Sequence, residues 1–171
     1  MKHRLLLVYS WFVRTILFFF PDIPVFMRFR GRLYGLGMKK CGKNFQVTHS
    51  AILNTIDMIV VGDNVYIANF CSLIANGTIE IGDNVLFGPS VVVSSGNHKF
   101  ENGRLLKESN QKDVIIGKNC WIAANCTVVG GAILPEGSIL AANSVLTNKP
   151  DLVKTNCIYG GTPAKYIKTI Q

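Results

Sequence analysis

The chain has 171 residues, 49% of them hydrophobic, and a formal charge of +8, which is ample apolar material for one packed domain. The charge is uneven: residues 1–40 hold eight Lys or Arg against the single acid Asp22, whereas residues 41–171 hold ten basic and nine acidic residues. A body so close to neutral excludes a phosphate-binding surface along its length, so no nucleic-acid partner is expected.

The first 40 residues form a segment of their own. Residues 5–13 are apolar, Arg14 interrupts, residues 15–20 are apolar again, and Pro21 and Pro24 come next. This order predicts a helix ended by a proline-bounded turn. The apolar run is short for a membrane span and carries Arg14 in its middle, and it has no small-residue cleavage site after it. A cytoplasmic protein without export or a full span is therefore expected. Two roles fit the arm. It can lie on the inner face of the cytoplasmic membrane through residues 1–34, with Lys2, Arg4, Arg14, Arg28, Arg30 and Arg32 near anionic headgroups. It can also fold over the open end of the body at residues 41–171, and one helix can serve both ends.

From residue 41 onward an aliphatic residue recurs every six positions, most clearly at Ile116, Ile122, Val128, Leu134, Leu140 and Leu146. That period fits neither a helix nor a flat strand, so the chain must turn a corner at each repeat. Four places after each aliphatic stands a small residue: Cys120, Cys126, Ala132, Ser138 and Ser144. Large and small inward residues in alternation suit a narrow three-sided solenoid, with Gly, Asn and Ala at its turns. Three of the five cysteines, Cys71, Cys120 and Cys126, fall in the small inward slot, and no CxxC pair is present. Buried reduced thiols are expected, not disulfides or a metal site.

The coil frame passes through Cys41, Val61, Ile81, Ile116 and Leu134, with offsets of 20, 20, 35 and 18 residues. The long offset carries an excess of 15 residues that no corner can absorb. Residues 95–113, rich in Gly, Asn and charge, are therefore expected to leave the prism as a loop. After Leu146 the repeat fades and leads to a terminal strand and cap.

Of His3, His49 and His98, only His98 stands at the base of that loop. A histidine fixed by a rigid scaffold is suited to general-base work. His49 lies in a weakly patterned early coil and reads as structural. With the histidines so dispersed no catalytic metal cluster is expected, and no phosphate loop or Ser nucleophile elbow occurs.

Four stretches carry a resemblance: Val61-Gly62-Asp63-Asn64-Val65-Tyr66-Ile67, Ile81-Gly82-Asp83-Asn84-Val85-Leu86-Phe87-Gly88-Pro89, Ile116-Gly117-Lys118-Asn119-Cys120-Trp121-Ile122 and Gly160-Gly161-Thr162-Pro163-Ala164-Lys165. They resemble the hexapeptide-repeat acyltransferases, and within them the galactoside and maltose O-acetyltransferases and the O-acetyltransferases of bacterial surface polysaccharides. The likeness covers about residues 41–170. It implies an all-β fold, a left-handed parallel β-helix with a helical arm (1–40) and an acyltransferase domain (41–171). It also implies a homotrimer, with acetyl-coenzyme A held between neighbouring subunits and no metal.

Residue by residue, the resemblance makes His98 the base that takes the proton of an acceptor hydroxyl. It assigns Asn69 and Trp121 to the sugar acceptor, and Ala124, Ala142, Thr147, Lys149, Lys165 and Lys168 to the coenzyme. An acidic acceptor-binding residue of the galactoside enzymes is replaced here by Asn76-Gly77, so the acceptor should differ. The expected activity is acetyl transfer to a sugar hydroxyl in surface-polysaccharide synthesis, on a glycan that can be lipid-linked. The alternatives are N-acetylation of an amino-sugar nucleotide, and a metal-dependent or non-catalytic solenoid.

Overall fold

The computed structural model describes residues 2–148 and 154–170. It is a left-handed parallel β-helix preceded by two helices, α1 (Lys2–Ile16) and α2 (Pro24–Gly35). Short parallel strands stack into three faces of five, seven and five strands, the second face counting the two C-terminal strands. A two-stranded antiparallel hairpin stands outside them.

The register matches the hexads. On the first face Cys41, Val61, Ile81, Ile116 and Leu134 stand in one row. On the second, Val47, Ile67, Phe87, Ile122, Leu140 and Tyr159 do so, and on the third Leu53, Leu73, Val93, Val128 and Leu146. Apart from Cys41, which is half-buried, these rows are buried and form the core. Strand side chains alternate between faces, so each two- or three-residue strand sends one or two residues inward. Burial of each aliphatic contributes about 1.5–3 kcal/mol. The small slots Cys71, Cys120, Cys126, Ser138 and Ser144 are buried as expected, and all five cysteines are free. Burial pushes the Cys120 thiol up to about 11, offset only in part by backbone hydrogen bonds, so at neutral pH it stands as the protonated thiol.

One corner is built from asparagine. Asn44, Asn64, Asn84 and Asn119 all take left-handed backbone, with φ between 55° and 58°, a conformation Asn tolerates. Their amides form a ladder in which each donates to the next at 3.0 Å. Just before them, successive coils approach so closely that a Cβ on Gly82 would lie 2.6 Å from the Lys118 nitrogen. Only glycine fits there.

The extra residues leave the third face as predicted, but not as an irregular loop. Strands Gly96–Glu101 and Arg104–Gln111 pair antiparallel, joined by Asn102-Gly103, both at positive φ. That is the dipeptide favoured in two-residue hairpin turns. The base of the hairpin is pinned by Ser95, fully buried, whose hydroxyl donates to the Gly77 carbonyl at 2.7 Å and accepts from the Asn76 amide at 3.0 Å.

The arm caps the first coil. Val13, Leu17 and Tyr34 join the core cluster, and Pro24 opens α2, the second helix that the proline-bounded turn does not foreshadow. Arg30, expected near lipid headgroups, is instead buried with 1% exposure. Its guanidinium donates to the carbonyls of Val47 (2.6 Å), Leu17 (3.1 Å) and Phe20 (3.1 Å) and to Asp22 (3.1 Å). A fork of donors with so many acceptors converging on it is stable inside the protein, where a bare cation is not. Among the described residues, no helix is long and apolar enough to cross a membrane.

Candidate active site

The corner after the second face carries three of the predicted site residues. Asn69, Pro89, Ala124 and Ala142 stack there, since the Ser90 amide donates to Asn69 O (2.9 Å), Asn125 to Pro89 O (2.9 Å) and Asn143 to Ala124 O (3.0 Å). Ala124 is half-buried and Ala142 exposed, and methyl side chains leave the outside of the corner open. Three residues before Ala124, Trp121 stands outward on the second face, 49% exposed, between Leu86 and Ile139. The same row continues through Ile158 to Lys168 on the last strand. Lys168 is exposed, as is Lys165 opposite Gly160.

His98 lies at the other end of the third face. It is exposed on the first hairpin strand, opposite Ser109, and its amide donates to Asn97 Oδ1 at 2.9 Å. The ring has no hydrogen-bond partner among the described residues. Lys99 and Glu108 tie the two strands together at 2.9 Å just beyond it. Thr147, half-buried, comes directly after the third-face strand Val145–Leu146. It is level with Val129, which pairs with Ser94 at the root of the hairpin. Within one chain the predicted residues thus form two groups, Asn69, Ala124 and Ala142 at one corner with Trp121, Lys165 and Lys168 on the face that leads to it, and His98 with Thr147 at the next corner. Lys149 lies outside the described residues.

A cluster that sequence reasoning misses surrounds Asn69. Asp22, between the two helices, accepts on Oδ1 from Arg30 (3.1 Å) and the His49 amide (2.8 Å). Its Oδ2 meets His49 Nδ1 at 2.7 Å and Asn69 Nδ2 at 2.9 Å. Burial by itself would raise the pKa of this carboxyl, but the hydrogen bonds from His49 and Asn69 outweigh it and hold the carboxyl below its ordinary value. An ionised carboxylate only accepts, so Nδ1 of His49 carries a proton, and among the described residues Nε2 has no hydrogen-bond partner. Asn69 Nδ2 also reaches Ser50 Oγ at 3.2 Å. His49, which reads as structural in the sequence, is therefore an oriented imidazole beside a predicted site residue. Its only sequence signal is the 20-residue spacing to Asn69. Among the described residues no group of His, Cys, Asp and Glu side chains converges on a metal position.

Residues 113–148 match the family described as bacterial transferase hexapeptide (six repeats). No curated protein sequence matches the chain. Several solved structures share its fold. A hexapeptide-repeat acetyltransferase of Vibrio cholerae O1 biovar eltor, complexed with acetyl-coenzyme A, superposes with a TM-score of 0.83 at 23% identity, covering 98% of this chain and 88% of that one. A galactoside acetyltransferase in complex with coenzyme A gives 0.83 at 24%, covering 98% and 82%. The maltose O-acetyltransferase of Clostridium difficile 630 gives 0.76 at 24%, covering 98% and 89%. With its repeat rows, extruded hairpin and C-terminal strands, the chain carries the bacterial transferase hexapeptide repeat at 113–148 and has, throughout, the fold of the hexapeptide-repeat acetyltransferases.

Proposed function

We propose that the protein is an acetyl-coenzyme A dependent O-acetyltransferase acting on a sugar hydroxyl of a surface glycan. The observation that carries this reading is His98 on a hairpin whose root is pinned by buried Ser95, on a β-helix of the acetyltransferase fold. The similar structures with acetyl-coenzyme A or coenzyme A bound support the same donor here.

Three copies packed side by side with their prism axes parallel would set the His98 group of one subunit against the Asn69 corner of its neighbour. The pantetheine arm would lie along Ala124 and Ala142, with Thr147, Lys149, Lys165 and Lys168 towards the nucleotide. His98 takes the hydroxyl proton as that oxygen attacks the thioester carbonyl. The carbon–sulfur bond then breaks, the proton passes to the departing thiolate, and the products are the acetyl ester and coenzyme A. No covalent enzyme intermediate is required. Free thiol release from acetyl-coenzyme A, with sugars and amino sugars as acceptors, tests the reading. His98→Ala is expected to lower kcat about 10²–10⁴-fold while leaving coenzyme A binding intact. Full activity in that variant, or preference for amino sugars, would sink it.

The arm supports a place on the inner membrane surface. Leu5, Val8, Trp11, Phe12, Ile16, Phe19, Val25 and Phe29 are all exposed, and Arg4, Arg28 and Arg32 flank them in the open. Apolar side chains with basic neighbours suit an anionic bilayer surface. The full chain should sediment with phosphatidylglycerol vesicles and less with phosphatidylcholine ones. Replacing Phe12 and Phe19 by Ser should abolish this, and equal sedimentation with both vesicle types would refute it.

A further inference from the structure

A cavity of about 400 Å³ opens beside the Asp22 cluster, walled by Arg14, Phe18, Phe19, His49, Ser50 and Phe70, with Thr15 at its edge. Its size is that of a small-ligand site. Asp22, the carboxylate that holds the His49 ring at the cavity wall, is saturated by four donors. Arg14 is half-buried and, among the described residues, makes no hydrogen bond or ion pair. The cavity therefore holds an uncompensated cation in a partly desolvated setting, where an incoming oxyanion gains most.

Its other polar groups read hydroxyls. With Nδ1–H committed to Asp22, His49 has Nε2 left to pair with a ligand hydroxyl. Ser50 Oγ accepts from Asn69 Nδ2 (3.2 Å) and the Phe70 amide (3.1 Å), so its own proton is free to donate. Two polar groups side by side match neighbouring hydroxyls of a sugar, each of which can donate or accept. Phe70 adds an aromatic wall, 68% exposed, at a left-handed corner (φ 61°) where later coils use Asn125 and Asn143. A bulky residue in that conformation is strained, and strain of this kind is kept where a side chain is needed.

We propose that this cavity binds a sugar unit bearing a carboxylate or a phosphate, with Arg14 on the oxyanion and His49 and Ser50 on hydroxyls. Resting on the acetyl-transfer reading, this makes the acceptor an acidic glycan. Calorimetric titration of the full chain, without acetyl-coenzyme A, would compare glucose and galactose with their uronates and 1-phosphates, and with inorganic phosphate. The uronate or the 1-phosphate should bind at least about tenfold tighter than the neutral sugar, and which of the two gains identifies the oxyanion. Arg14→Gln should remove the preference and keep neutral-sugar binding, and Arg14→Lys should restore part of it. On the native chain the preference should shrink with added salt. Equal affinity for neutral and acidic sugars, no binding of any, or inorganic phosphate binding as tightly as a sugar phosphate would each overturn the proposal. These affinities are read without acetyl transfer, so they stand or fall apart from it.

Discussion

The repeat body and the N-terminal arm are held by opposite means. In the body every coil adds equivalent rows, so Val61, Ile81, Ile116 and Leu134 do the same work at successive levels. Stability there is shared among neighbours, as in any stacked solenoid. The arm has no repetition. It sends only a few side chains inward, such as Val13, Leu17, Met27 and Tyr34, and leaves many large apolar ones exposed. Its polar attachment is concentrated in Arg30 and Asp22. Distributed packing tolerates variation at most positions, whereas a single charged knot does not. The same knot orients His49 and Asn69, so docking of the arm and the shape of the cavity are one event.

The largest effect that tests this contrast comes from removing the knot. Arg30→Ala leaves the carbonyls of Leu17, Phe20 and Val47 without their donor and Asp22 without its cation. Loss of one partner from a buried charged network costs about 3–5 kcal/mol. In a Trp121→Phe background, Trp11 fluorescence reports the arm during urea unfolding and the reactivity of the buried thiols Cys71, Cys120 and Cys126 reports the body. The fluorescence transition should move to lower urea and separate from the thiol-exposure transition. Coincident transitions at the native midpoint would mean that the arm is held by its apolar contacts, and the contrast would fail.

The same division explains what is legible in the sequence. Hexad spacing is a local pattern, so it yields the row from Cys41 to Leu134 and the place of the extruded residues directly. The stacking of Asn69 with Ala124 and Ala142 obeys the same offsets. The hairpin is a different case: Asn102-Gly103 announces it, but the Gly, Asn and charge content of residues 95–113 points to a solvent loop and masks the turn. Arg30 and His49 are hidden for another reason. Their partner is Asp22, and the pairing of Asp22 with His49 spans 27 residues between an arm and a coil. No periodicity encodes how a helix docks, so in the sequence one arginine looks like its neighbours and one histidine looks idle.

A smaller effect isolates the carboxylate. The folded-state pKa of Asp22 is depressed below its ordinary value of 3.8. A group depressed by folding contributes stability that is fully present above its unfolded value and is lost as pH falls through the folded one. The stability gap between the native chain and Asp22→Asn should therefore hold steady down to about pH 5. It should narrow as the pH passes 3.8 and the folded value beneath it. Urea midpoints of both proteins across that range measure the gap. Because Asp22 also fixes the His49 ring, nitrogen-15 chemical shifts of His49 should lose the signature of the Nδ1–H tautomer in Asp22→Asn. A gap that stayed constant to the lowest pH would place the arm's attachment in Arg30 and its three carbonyls alone, leaving Asp22 the task of aiming His49 into the cavity.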